Sequence, residues 1–119
     1  MGLAIMDSQL TIIQPSGHIN ASTAVEFKHK LTKAVAAQDS VLVDMSQVES
    51  LDSAGLMALV SALSLAQSLK RRFSICSVAP SIRIIFELTQ LNEAFEIFES
   101  RDAFVAARKQ DEKAVTLVA

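Results

Sequence analysis

Apolar residues in this chain recur in two rhythms. Short runs occur at 3–6, 10–13, 41–43 and 73–78, bounded mostly by polar or turn-forming residues. Between them, apolar positions fall three and four apart. The first pattern reads as strands and the second as one face of a helix. The 3–6 and 10–13 runs, separated by Asp7-Ser8-Gln9, read either as an N-terminal hairpin or as an irregular lead-in followed by an edge strand. Pro15-Ser16-Gly17 breaks the pattern and His18-Ile19 resumes it briefly. Asn20 or Ser22 then opens a helix with Ala24, Phe27, Leu31, Ala34 and Val35 inward. Its Glu26, Lys28, Lys30 and Lys33 face water.

A strand over 40–43 follows. The next helix runs from about Ser53 to Leu69, with Leu56, Leu59, Val60, Leu63 and Ala66 on its inner face. Lys70-Arg71-Arg72 then complement its negative C-terminal end. A strand over 73–78 leads to Pro80, which starts a third helix where its missing N–H costs nothing. Ile82, Ile85, Phe86 and Thr89 mark one face of that helix. A short strand over 95–98 precedes a last helix capped by Ser100, with Phe104 and Ala107 inward. Alternation of strand and helix predicts an α/β fold: a short, mainly parallel sheet joined by right-handed crossovers. Only the middle strands are fully apolar, which favours helices packed on one face. Residues 1–110 form one domain in this reading, and 111–119 a C-terminal tail.

The segment Leu51-Asp52-Ser53-Ala54-Gly55-Leu56 stands out. Asp52 and Ser53 fall where a loop becomes a helix, and both are residue types whose side-chain oxygens cap helix starts. The positive end of the helix dipole also tolerates a phosphate there. The helix that follows carries no charge from Ser53 to Leu69. Its outer stripe is Ser53, Met57, Ser61, Ser64 and Ser68. Two readings account for this: a helix buried on both sides, or a docking face for another protein that begins at Ser53. Gly55 in the first turn implies a close approach, by a partner or by a neighbouring loop.

Composition narrows the chemistry. The net charge is −2 with no basic stripe, which argues against nucleic acid as the main partner. A single cysteine, Cys76, excludes an internal disulfide and fits a reducing compartment. The uncharged 53–69 stretch contains four Ser and a Gln, so membrane insertion is not expected. No signal peptide is visible, and the expected location is cytoplasmic. His18 and His29 lack carboxylate or thiol companions at ligand spacing, so no metal is expected. There is no Gly-x-Ser-x-Gly elbow and no phosphate-binding loop. The chain reads as a binding module without catalysis or cofactor.

The motif resembles a known family. Asp44-Met45-Ser46 followed after four residues by Leu51-Asp52-Ser53-Ala54-Gly55-Leu56 is similar to the signature of the anti-sigma-factor antagonists, founders of the STAS domain family. Gly17-His18-Ile19-Asn20 and the segment 77–89 resemble further parts of it, so the likeness spans about residues 8–108. It implies partner switching. The unphosphorylated antagonist binds an anti-sigma factor that is also a serine kinase and so frees the sigma factor. The kinase then phosphorylates the motif serine, and a PP2C-type phosphatase reverses this. Ser53 matches the phosphoacceptor, and Asp52 and Gly55 its flanks. The expected partner surface comprises Asn20, Ser22, Asp52, Ser53, Gly55, Met57 and Ser61. Asn20 stands where the family often has Asp, Ala54 where many members have a second hydroxyl, and Gln90 where Gly is common. The alternative is a STAS subunit docking on a membrane transporter ATPase, for lipid or anion transport, without a phospho-switch.

Overall fold

The structure is a computed structural model that describes residues 10–118, with side chains over 10–109. Its elements are β1 (Leu10–Ile13), β2 (Ser16–Ile19), α1 (Ala24–Ala37), β3 (Ser40–Asp44), β4 (Gln47–Leu51), α2 (Ser53–Ser68), β5 (Arg72–Cys76), α3 (Pro80–Leu88), β6 (Glu96–Phe98) and α4 (Arg101–Val118). Strands β1-β3-β5-β6 form one all-parallel sheet in that order, and β2-β4 form a separate parallel pair. The strand–helix alternation is therefore present, with the 10–13 run as an edge strand. The 3–6 run lies outside the described residues.

Alternation along the strands separates two cores. Val41 and Val43 of β3 and Phe73 and Ile75 of β5 join Phe27, Leu31, Val35, Leu59, Ala62 and Phe86 in the larger one. The helices α1, α2 and α3 thus share one face, as the apolar pattern predicts. Leu42 and Cys76, on the opposite face, pack against Phe104 of α4 in a small second core. All five residues of β3 are buried because helices cover it from both sides.

Several local outcomes differ from the sequence expectation. β4 escapes detection in the sequence: Gln-Val-Glu-Ser-Leu has only two apolar residues, and its register with β2 shifts between Gly17 and His18. A bulge of this kind breaks the two-residue rhythm. Helix α1 starts at Ala24, flanked by Thr23, rather than at Asn20 or Ser22. Those residues tie up the preceding turn: Asn20 Oδ1 accepts from Ser22 N at 3.0 Å and Ser22 Oγ at 2.6 Å, and Asn20 N donates to Thr23 Oγ1 at 3.0 Å.

The backbone of the basic run closes its own helix, with Lys70 N donating to Gln67 O at 3.1 Å and Arg71 N to Ala66 O at 2.8 Å, but two of its side chains turn to other elements. Arg71 crosses to the C-terminal carbonyls of α1, donating to Val35 O at 2.7 Å and Ala36 O at 2.6 Å. A guanidinium there meets the negative end of that helix dipole. Arg72 lies 5.2 Å from the Phe104 ring centre and pairs with Glu96 at 2.8 Å. Helix α3 begins at Pro80 and ends through Gln90, which takes a left-handed φ of 61°. Ser100 caps the last helix, accepting from Ala103 N at 3.0 Å. Helical backbone continues through the predicted tail to Val118.

Candidate functional site

The paired strands β2 and β4 build the site. Ile19 lies opposite Leu51 at their ends. Two parallel strands that end side by side deliver the residues after them to one edge, so the Asn20–Ser22 turn and Asp52-Ser53 emerge together. Asp52 N donates to Ile19 O at 3.1 Å and fastens that edge. One pair earlier, His18 Nδ1 lies 2.7 Å from Ser50 Oγ on the exposed side.

Helix α2 starts at this edge. Asp52 is its cap: it has an extended backbone, and its Oδ1 accepts from Gly55 N at 3.1 Å. Its carbonyl accepts from Leu56 N at 2.9 Å. Ser53 is the first helical residue; it is exposed, and its hydroxyl stays outside the cap. Of the two candidate caps in the sequence, Asp52 therefore fills the role.

Gly55 is buried, and the close approach it permits is made by the chain itself. A Cβ there would sit 2.6 Å from Leu51 Cδ1, 2.7 Å from Ile19 Cγ2 and 3.1 Å from Ile19 O. The glycine thus seats the start of α2 on the ends of β2 and β4. Of the remaining expected surface residues, Asn20, Ser22 and Asp52 are exposed, Met57 is 58% exposed, and Ser61 is half-buried. Farther along the stripe, Ser64 and Ser68 are exposed as well. The lack of charge on α2 has two sources. Gly55, Leu56, Ala58, Leu59, Ala62 and Ala66 are buried, and the residues left in solvent are uncharged: Ser53, Met57, Ser64, Gln67 and Ser68. Val25 of α1, 79% exposed, was not singled out in the sequence because one apolar residue among charges carries no periodic signal.

The site is an edge rather than a cavity. A cleft of about 270 Å³ between the 14–16 loop and the first turns of α1 does not include Ser53. Among the described residues no cluster of three or more His, Cys, Asp or Glu could hold a metal, and no helix is long and apolar enough to cross a membrane.

Asp44, from the Asp-Met-Ser segment of the motif, lies away from Ser53 on the α4 side of the sheet. Its Oδ1 accepts from Ser46 N at 3.0 Å and its Oδ2 from Arg101 at 2.7 Å. Burial pushes its carboxyl up, but the Ser46 bonds and the Arg101 guanidinium together hold it below its ordinary value. Burial raises the Cys76 thiol, which sits in the small core.

Comparison with known proteins agrees with this geometry. The sequence model described as the STAS domain matches residues 4–104. The chain belongs to the STAS domain family. Over 94 residues, 78% of this chain and 81% of the relative, it is 24% identical to BtrV of Bordetella bronchiseptica, whose name proposes an anti-sigma factor antagonist. The fold superposes with a TM-score of 0.75 on an anti-sigma factor antagonist from Mycobacterium paratuberculosis, 26% identical, covering 85% of this chain and 87% of that one. It also matches a sulfate transporter family protein from Wolinella succinogenes with a TM-score of 0.74 and 17% identity, covering 87% of each chain. This STAS domain therefore has the fold of the anti-sigma factor antagonists, a fold that a transporter family shares.

Proposed function

We propose that this STAS domain is an anti-sigma factor antagonist in a partner-switching pathway, with Ser53 as the switch. Unphosphorylated, it binds an anti-sigma factor that is also a serine kinase, through the edge of Asn20, Ser22, Asp52, Ser53, Met57 and Ser61. The kinase transfers the γ-phosphoryl group of Mg-ATP to Ser53 Oγ. The hydroxyl proton passes to a base of the kinase and ADP leaves with the bridging oxygen. A PP2C-type phosphatase hydrolyses the ester, and the whole cycle runs in the cytoplasm.

The observation that carries this reading is the exposed Ser53 hydroxyl at the first position of α2, outside the cap held by Asp52. The names of the relatives support the choice of partner. Phosphorylation adds about −1.5 to −2 charge. The positive end of α2 accepts part of it and Asp52 repels it, so the fold is little disturbed. A partner interface closed over Ser53 would instead have to bury a strongly hydrated dianion, which is costly without compensation.

The test starts with capture from the native cell by the unmodified protein and by Ser53→Asp, read by mass spectrometry. A serine kinase that binds the first and not the second is expected, and with Mg-ATP it adds one phosphate, on Ser53. Full labelling of Ser53→Ala would overturn the assignment. Met57→Lys should weaken binding in calorimetry while Lys30→Glu, on the outer side of α1, leaves it unchanged. Capture of a transporter ATPase without a kinase would replace this reading with the docking alternative.

A further inference from the structure

We propose that Asp52 is a positioning residue for phosphorylation at Ser53: by occupying the cap of α2 it keeps the serine hydroxyl out of the helix's own hydrogen bonding and free to attack a phosphoryl group. This rests on Ser53 being the phosphoacceptor.

Two adjacent residues compete for one task. Either side chain can cap a helix, and whichever does so has its oxygen turned inward onto a backbone N–H three residues on. With Asp52 as cap the acceptor bond goes to Gly55 N; with Ser53 as cap the helix would begin one residue later and Oγ would turn to Leu56 N. Three contacts decide for Asp52. Its own N–H is fastened to Ile19 O at 3.1 Å, its Oδ1 holds Gly55 N at 3.1 Å, and its carbonyl holds Leu56 N at 2.9 Å. Gly55, wedged against Ile19 and Leu51, keeps the first turn seated. Ser53 is left exposed, outside the bond that caps the helix. Remove the Asp52 side chain and Gly55 N loses its acceptor, so the first turn frays against the two backbone contacts that remain; in the frayed molecules Ser53 Oγ takes up Leu56 N, and the fraction with a free hydroxyl falls. Apparent reactivity falls by that fraction.

The free protein tests the competition without any kinase. Amide hydrogen exchange at Gly55 and Leu56 is measured by NMR for the parent, Ser53→Ala, Asp52→Ala and the double variant, each checked as folded by circular dichroism. Ser53→Ala alone should leave both amides within about twofold of the parent, and Asp52→Ala should speed Gly55 about threefold to tenfold. In the Asp52→Ala background, adding Ser53→Ala should speed Leu56 by a further twofold or more, on the order of a weak cap. Silence of that second step, or an effect of Ser53→Ala equal to that of Asp52→Ala, overturns the proposal.

The second arm measures kcat/KM for phosphorylation by the captured, purified kinase with Mg-ATP. Asp52→Ala should lower it about threefold to tenfold, and Asp52→Asn, which keeps an oxygen to cap, should recover most of that loss. An equal loss in Asp52→Asn would mean that the kinase reads the carboxylate charge, and overturns the positioning role. If the exchange pattern holds but the parent is never labelled at Ser53, the phosphoacceptor reading fails and takes this proposal with it.

Discussion

The two faces of the main sheet are held by different forces. Toward α1, α2 and α3 the strands present Val41, Val43, Phe73 and Ile75, and the packing is apolar throughout. Toward α4 they present Ser40, Asp44 and Ser74, which are the buried polar residues among those described. There Asp44 pairs with Arg101, and Glu96 bonds Arg72 and Ser74, around a core that among the described residues comprises buried Leu42, Cys76 and Phe104 with half-buried Leu10, Phe98 and Val105. One face is sealed mainly by removing apolar surface from water, a term that scales with area and ignores pH. The other depends on a few directional, charge-assisted bonds. Ser53 stands at the start of a helix on the apolar face, so its scaffold is the sturdier half, and α4 is the element expected to open first.

The sharpest way to break this contrast is to cut into each core. Phe86→Ala should cost about 3–5 kcal/mol and lower protection across the whole sheet, because Phe86 is fully buried and packs edge-on against Phe95. Phe104→Ala should fall near the low end, about 3 kcal/mol, since its half-buried neighbours Leu10, Phe98 and Val105 can close in. Hydrogen exchange should then rise in α4 well before α1–α3. Equal, global opening in both variants would mean that the faces are not separable.

Removing a polar fastener is the next smaller step. Asp44→Ala should cost about 1–3 kcal/mol in denaturant melts, because Ser46 N and Arg101 lose their acceptor. Its effect too should concentrate in α4.

Acid probes the same fasteners without mutation. In Glu96, the Arg72 bond lowers the carboxyl, burial opposes this, and the Ser74 bond lowers it further; the net shift is downward, as for Asp44. Groups with depressed folded values stabilise fully above the ordinary carboxylate range, near about pH 4, and lose that stabilisation as pH falls through the lower folded values. Stability should therefore be level from neutrality to the ordinary range and then decline. The decline should appear first in α4 exchange and be smaller in Asp44→Ala, where only the Glu96 part remains. A flat response, or one that starts in α1–α3, would refute the division.

The smallest effect is a control. Gln90 ends α3 at a φ of 61°, a backbone region where glycine has no steric cost. Gln90→Gly should raise stability by about 0.5–1 kcal/mol in thermal melts, with no preference for either face and no change in the acid response.

Much of this molecule is written in local pattern. Periodicity alone placed α1, α2, α3 and the strands β1, β3 and β5, and Pro80 marked the start of α3. The 51–56 segment located the start of α2 and limited the cap to two residues. Each of these is a choice that a residue makes with neighbours three or four positions away, so it is visible along the chain. What tertiary structure decided involves, in each case, at least one partner some thirty or more positions away. β4 exists because β2 lies beside it. Gly55 is required by Ile19 and Leu51. The Arg71 guanidinium goes to the end of α1, and α4 takes the opposite face because Asp44 and Phe98 meet Arg101 and Phe104 there. Asp52 rather than Ser53 became the cap for the same reason: its N–H bonds Ile19, a contact that no one-dimensional spacing encodes. Local chemistry offered two oxygens for the cap, and the ends of two distant strands determined which one stayed free.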